Sequence, residues 1–246
     1  MRFFVGLHVL SAAKKVSHPA FISVNMIRSR KSAFEVGDWI LDSGAFSTIL
    51  MHGGYPEPPN EYAAQIKRWS KNGNLLTAVA QDYMCESAML AITGHTVAEH
   101  QRMTIERYDA LLACDTGGVP IMPVLQGYDP KEYVEHIRQY GNRLTPGMWV
   151  GVGSVCKRNA SPAAIEAVLL AIKTERPDLR LHGFGIKTTA LRSEIVRDLL
   201  YTADSMAWSY SARKQGRDGN DWREAEAFGR KIKDMPIQRQ LFWEAV

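Results

Sequence analysis

The chain has 246 residues, 46% of them apolar, with 30 lysines and arginines against 26 aspartates and glutamates. This is enough apolar material for the core of one α/β domain of barrel size, and no apolar run is long enough to cross a bilayer. A net charge of +4 permits a polyanionic partner without requiring one. The three cysteines, Cys85, Cys114 and Cys156, are odd in number and lack CxxC spacing, which argues against a disulfide scaffold and for a reducing, cytoplasmic compartment.

Short apolar runs alternate with amphipathic stretches along the chain. The first, residues 3–9, reads as a strand rather than a signal peptide, because the apolar run is short and no convincing small-residue cleavage site follows it. Further strands are predicted at 21–24, 39–41, 75–80, 121–125, 148–152, 179–184 and, less apolar, 206–208. Helices are predicted at 60–71, where Tyr62, Ile66 and Trp69 share a face, and at 96–112. Asp129-Pro130 and Ser161-Pro162 each place a capping residue before a proline, opening helices from 130 and over 163–174. Two more are predicted at 189–201 and 220–233. Between the first two strands, residues 14–20 look like loop. Eight strands alternating with helices predict an irregular (β/α)8 TIM-type barrel forming a single domain over residues 1–246, with an open doubly wound sheet as the alternative.

The strands end on chemically distinctive residues. Leu41 runs into Asp42-Ser-Gly-Ala-Phe46, Ala80 into Gln81-Asp82, and Leu125 into Gln126-Gly127. The later strands run into Gly151-Val-Gly153-Ser and His182-Gly-Phe-Gly-Ile-Lys187, and Asp204 leads the last one. In a barrel these positions share one mouth. Two carboxylates there can divide a glycosidic exchange, one attacking the anomeric carbon and one moving a proton. A carboxylate beside an amide can read guanine, whose N1–H and N2–H2 donate and whose O6 accepts. Phe46 is placed to stack on a ring. Each feature alone is also an ordinary cap, turn or loop residue, and His182 alone reads equally as a packed core histidine. His95 and His100, five residues apart, are poorly spaced for a shared metal, and no metal site is expected.

In order along the chain, Asp42-Ser-Gly-Ala-Phe46, Gln81-Asp82, Gln126, Gly151-Val-Gly153, His182-Gly-Phe-Gly185 and Asp204-Ser-Met-Ala-Trp208 resemble the motifs of the tRNA-guanine transglycosylase superfamily. The resemblance covers about residues 39–213. It implies an irregular (β/α)8 barrel, exchange of guanine in a nucleic acid for a 7-deazaguanine, and no cofactor. By the same resemblance Asp204 is the nucleophile and Asp42 the general acid/base. Asp82, Gln126, Gly151 and Gly153 read the purine edge, and Phe46 with His182 sandwiches the ring. An alignment keyed to Arg213 would instead put Ala207 at the nucleophile position, where no carboxylate is available. The tRNA enzymes carry a C-terminal zinc subdomain rich in cysteine, but no cysteine follows Cys156 here. The chain is therefore most similar to the phage and bacterial DNA-guanine transglycosylases, which insert bases such as preQ0. A tRNA-guanine transglycosylase and a nucleoside or base N-glycosidase remain alternatives, with a homodimer as one possible assembly. Lys157, Arg158, Arg213, Lys214 and Arg217 are the candidate nucleic-acid contacts, with Arg28, Arg30 and Lys31 in the second loop.

Overall fold

Runs of Phe, Val, Ile, Leu and Trp, apolar on both faces, favour parallel strands covered by helices on one side and by one another on the other. The computed structural model describes residues 1–158 and 161–236. Its strands are β1 (Arg2–Leu7), β2 (Ala20–Ser23), β3 (Asp38–Asp42), β4 (Asn74–Val79), β5 (Ile121–Met122), β6 (Val124–Leu125), β7 (Trp149–Val152), β8 (Arg180–Gly183) and β9 (Leu200–Ser205). All pairings are parallel, in the order β5-β4-β3-β2-β1-β9-β8-β7-β6. The two ends of this sheet, β5 and β6, are separated in sequence only by Pro123. Proline has no N–H to give a ladder. The predicted strand 121–125 is therefore one strand split in two, its first half paired with β4 and its second with β7. The sheet thus curls back on itself into an irregular (β/α)8 TIM-type barrel.

The helices are α1 (Ala45–His52), α2 (Pro59–Trp69), α3 (Ser87–Thr93), α4 (Val97–Leu112), α5 (Pro130–Tyr140), α6 (Pro162–Glu175), α7 (Thr188–Leu191), α8 (Glu194–Leu199), α9 (Ala207–Lys214) and α10 (Trp222–Lys233). Thr96 with Glu99, and Asp129 with Glu132, form reciprocal capping boxes. Only short 3-10 turns follow β1 and β2, so the barrel is irregular at its start.

Besides the split strand and the helices α1, α3 and α9, which the sequence did not predict, two further elements differ from the sequence expectation. The helix expected over 189–201 breaks at Ser193, whose hydroxyl donates to Glu166 and whose oxygen caps Val196 N–H at 3.2 Å. The last strand is Leu200–Ser205, not 206–208, so Asp204 ends a strand rather than leading one. Its low apolarity hid it, because its inward residues, Thr202 and Asp204, are polar.

Alternation with period two sorts the side chains. Trp39 and Leu41 face the helices, whereas Ile40 joins Phe4, Val79, Met122 and Val124 inside the barrel. Continuing inward past these residues, the same alternation brings Asp42, Gln126, Phe184 and Asp204 to the carboxyl-end mouth.

Candidate active site

At that mouth lies a cavity of about 330 Å³, within the size range of small-molecule sites. Asp42, Asp82 and Glu86 contribute carboxylates to its lining, Phe46 and Phe184 contribute rings, and Gln126, Gly153, Ser154 and Gly185 complete the wall. Among the described residues, no lysine, arginine or histidine lines it.

The Asp-Ser-Gly turn has a local cause. Gly44 N–H donates to Asp42 Oδ2 at 3.1 Å, which turns the chain back over the carboxylate. Gly44 sits at φ +72°, and a Cβ there would lie 2.4 Å from Asn25 Nδ2, so the position excludes other residues. Burial pushes Asp42 from its ordinary 3.8 to about 6, the nearby Asp204 charge adds to the rise, and the Gly44 N–H opposes it.

Asp82 and Gln126 form the buried wall, 6% and 0% exposed. Their orientation follows from which groups can only donate. Cys85 N–H donates to Ser154 Oγ at 3.1 Å, leaving the Ser154 hydroxyl proton for Gln126 Oε1 at 2.9 Å. That sets the amide so that Gln126 Nε2 donates to Asp82 Oδ2. Ser154 holds φ +57°, a conformation a non-glycine adopts at a cost. Gln126 N–H donates to His136 Nδ1 at 2.8 Å, so the His136 proton sits on Nε2 and reaches Gln101 O at 3.1 Å. Burial pushes His136 down to about 3, keeping it neutral. Burial also pushes Asp82 up to about 7, with Gln126 opposing and the Asp42 charge adding.

Several sequence-named residues take other places. Gly151 and Gly153 N–H are committed to Pro123 O and Leu125 O in the sheet ladder, at 2.8 and 2.9 Å, and so do not present donors to the cavity. Both positions are glycine because of close approach. A Cβ on Gly151 would meet the Phe184 ring at 2.4 Å, and one on Gly153 would meet Gln126 Nε2 at 2.1 Å. His182 does not sandwich anything in the cavity. It is 0% exposed, one layer below the mouth, stacked on Phe21 with ring centroids 5.5 Å apart. Phe184, two residues on, holds the mouth position instead; applying period-two alternation from His182 would have found it. Asp204 lies just behind the lining, with Oδ1 accepting from Gly185 N–H at 3.1 Å and paired with His182 Nε2 at 3.3 Å.

The cations also divide. The Arg158 guanidinium stacks over Tyr128, 4.2 Å from the ring centroid, whereas the Lys157 side chain lies outside the described residues. Arg213 donates to Ser209 Oγ at 2.7 Å, Lys214 lies over Tyr210, and Arg217 pairs with Glu224 at 2.7 Å. Arg28 pairs with Glu57, and Arg30 donates to Ser32 O and Ala33 O. Lys14, which sequence reasoning did not single out, lines a second cleft of about 440 Å³ with Arg30, Ser11, Phe34 and the carboxylate Glu35. Among the described residues, no helix is long and apolar enough to cross a membrane.

A parallel barrel with buried carboxylates around a cavity at the carboxyl ends of its strands is the architecture of an α/β-barrel enzyme. The family model for DeoxyPurine in DNA protein A, DpdA, matches residues 1–223, and the chain belongs to that family. The DpdA family is tRNA-guanine transglycosylase-like and exchanges guanine in DNA, so the chain is a transglycosylase whose substrates are DNA and a deazaguanine base. No curated protein matches the chain.

Two outcomes are expected here. Because its folded pKa is raised, Asp42 contributes stability below pH 3.8 and loses it as pH rises through about 6. Asp42→Asn does not titrate, so calorimetry should show it gaining about 1–3 kcal/mol relative to wild type between about pH 4 and pH 8. Gly153→Ala should displace Gln126 and lower stability by about 1–3 kcal/mol, read as a lower Tm.

Proposed function

We propose that this enzyme replaces guanine in DNA by a 7-deazaguanine of the preQ0 type through a covalent aspartyl-glycosyl intermediate. Asp204 attacks C1′ and the C1′–N9 bond breaks. The electron pair leaves with N9, which takes a proton from Asp42. The incoming base then gives its N9 proton to Asp42 and attacks C1′, expelling the Asp204 carboxylate. Two displacements retain the sugar configuration. Supporting this reading is one observation above all: Asp42, with a pKa lifted to about 6 partly by the charge of Asp204, stands at the edge of a base-sized cavity. A carboxyl poised near neutrality can both donate and accept a proton.

In this reading Asp82 accepts from the guanine N1–H and N2–H2 edge, Gln126 donates to O6, and Phe46 and Phe184 hold the ring faces. Asp82 and Gln126 are too deep for a stacked base to reach, so the target nucleotide flips out of the duplex. Exposed Met26, Leu50, Met51 and Met206, on segments following β2, β3 and β9, can fill the gap it leaves. Arg158 and the cleft of Lys14 and Arg30 hold phosphates. A DNA substrate and thiol cysteines fit work in a bacterial cytoplasm, that of the host for a phage enzyme.

The test is release of labelled guanine from duplex DNA when a 7-deazaguanine is supplied. Asp204→Asn should reduce release by about 10³-fold or more; release at the wild-type rate overturns the nucleophile. Release without an incoming base indicates N-glycosidase hydrolysis, and release from tRNA alone overturns the DNA reading. Lys14→Ala with Arg30→Ala should weaken DNA binding and reduce the slope of log affinity against log salt by about one to two, measured by fluorescence anisotropy.

A further inference from the structure

Three polar side chains beneath the mouth have no part in base reading: the buried His182 and Thr202 and the half-buried Trp149. His182 and Thr202 are 0% and 1% exposed. An indole N–H can only donate, so Trp149 Nε1 gives its proton to Thr202 Oγ1 at 2.8 Å. The threonine oxygen keeps a second lone pair and its own proton, so the direction of its bond to His182 Nδ1, 2.8 Å away, is decided by the imidazole tautomer. With Nδ1 accepting, the imidazole proton sits on Nε2, which faces Asp204 Oδ1 at 3.3 Å. A carboxylate accepts it. The directions are set from the carboxylate inward: Asp204 can only accept, so Nε2 of the neutral ring carries the proton, Nδ1 accepts from Thr202, and the threonine oxygen accepts from the indole.

We infer that His182 is a positioning residue for the nucleophile: held as its Nε2–H tautomer by Thr202 and Trp149, it fixes the Asp204 carboxylate so that Oδ2 is the attacking oxygen. The inference rests on the assignment of Asp204 made above. The Gly185 N–H, at 3.1 Å, also lands on Oδ1. Both donors thus occupy one oxygen, and the lone pairs of the other stay available for C1′. The ring itself cannot swing. It stacks on Phe21 at an interplanar angle of 14° and meets the Phe184 ring at 4.8 Å between centroids. The same N–H stabilises the carboxylate as it leaves in the second displacement, when Oδ1 regains negative charge. No new bond is made to His182, and it gives up no proton.

The test combines kinetics with a readout independent of turnover. His182→Phe keeps an aromatic ring in the stack and removes the donor. It should lower kcat about 10- to 100-fold while KM for DNA and for the incoming base changes less than about twofold. His182→Gln carries an amide N–H near the position of Nε2 and should recover most of the loss. In long-range ¹H–¹⁵N spectra of the wild type, His182 should show Nε2 protonated and Nδ1 bare, and Thr202→Val should disturb that pattern. A wild-type kcat in a folded His182→Phe, a His182→Gln no better than His182→Phe at matched Tm, or an Nδ1-protonated wild-type ring would each overturn the inference. If the wild type released no guanine from DNA, the proposed function would fail, and the tautomer would still decide the relay.

Discussion

Asp42 and Asp82 line one cavity; burial raises the pKa of both, the Asp204 charge adds to the rise at Asp42, and the Asp42 charge adds to the rise at Asp82. Carboxylates held this way are unfavourable unless donors are brought to them and fixed there. Much of the surrounding structure does this. The Gly44 N–H meets Asp42, and the chain from Cys85 through Ser154 and Gln126 ends on Asp82. Behind Gln126, a neutral His136 and Gln101 hold its main chain at both ends. The left-handed Ser154 and the bare Cα of Gly153 are consequences of the same need, since both let the amide lie where Asp82 requires it.

The electrostatic character of the cavity bears on its ligand. Three carboxylates line it, and among the described residues no cation does. Such a slot favours a neutral ring rich in N–H donors and disfavours an anionic one. Guanine and its 7-deaza relatives present the same donor edge, so one wall can serve both the leaving and the entering base. Cations are found outside this lining, at Arg158 over Tyr128 and, beside Glu35, in the cleft of Lys14 and Arg30.

The barrel's departures from regularity fall beside the site. Pro123 breaks a strand that must pair on both sides, and its carbonyl still receives Gly151 N–H. β9 gives up apolar inward residues for Thr202 and Asp204. In both places a polar requirement at the mouth or just beneath it replaces ladder continuity or apolar filling, and the helix layer outside compensates with a continuous apolar core.

The alternation of the first seven strands with the longer helices, the cap at Asp129, and the strand-end acids Asp42 and Asp82 are local features, written in hydrophobic period and neighbouring residues, and the sequence by itself determined them, whereas the helices α1, α3 and α9 were not read from it. Asp204, Gln126 and Phe46 were legible too, as members of an ordered set of motifs. The sequence did not reveal where β9 begins, because a strand with a polar inward face loses the apolar signal that marks the others. Nor did it reveal that His182 lies beneath Phe184, or that Gly151 and Gly153 make room for side chains instead of offering N–H groups. These outcomes depend on which residues from β6, β7, β8 and β9 share a layer across the closed barrel. Layer and hydrogen-bond direction arise only when strands distant in sequence are brought into register, so the tertiary structure alone decided them.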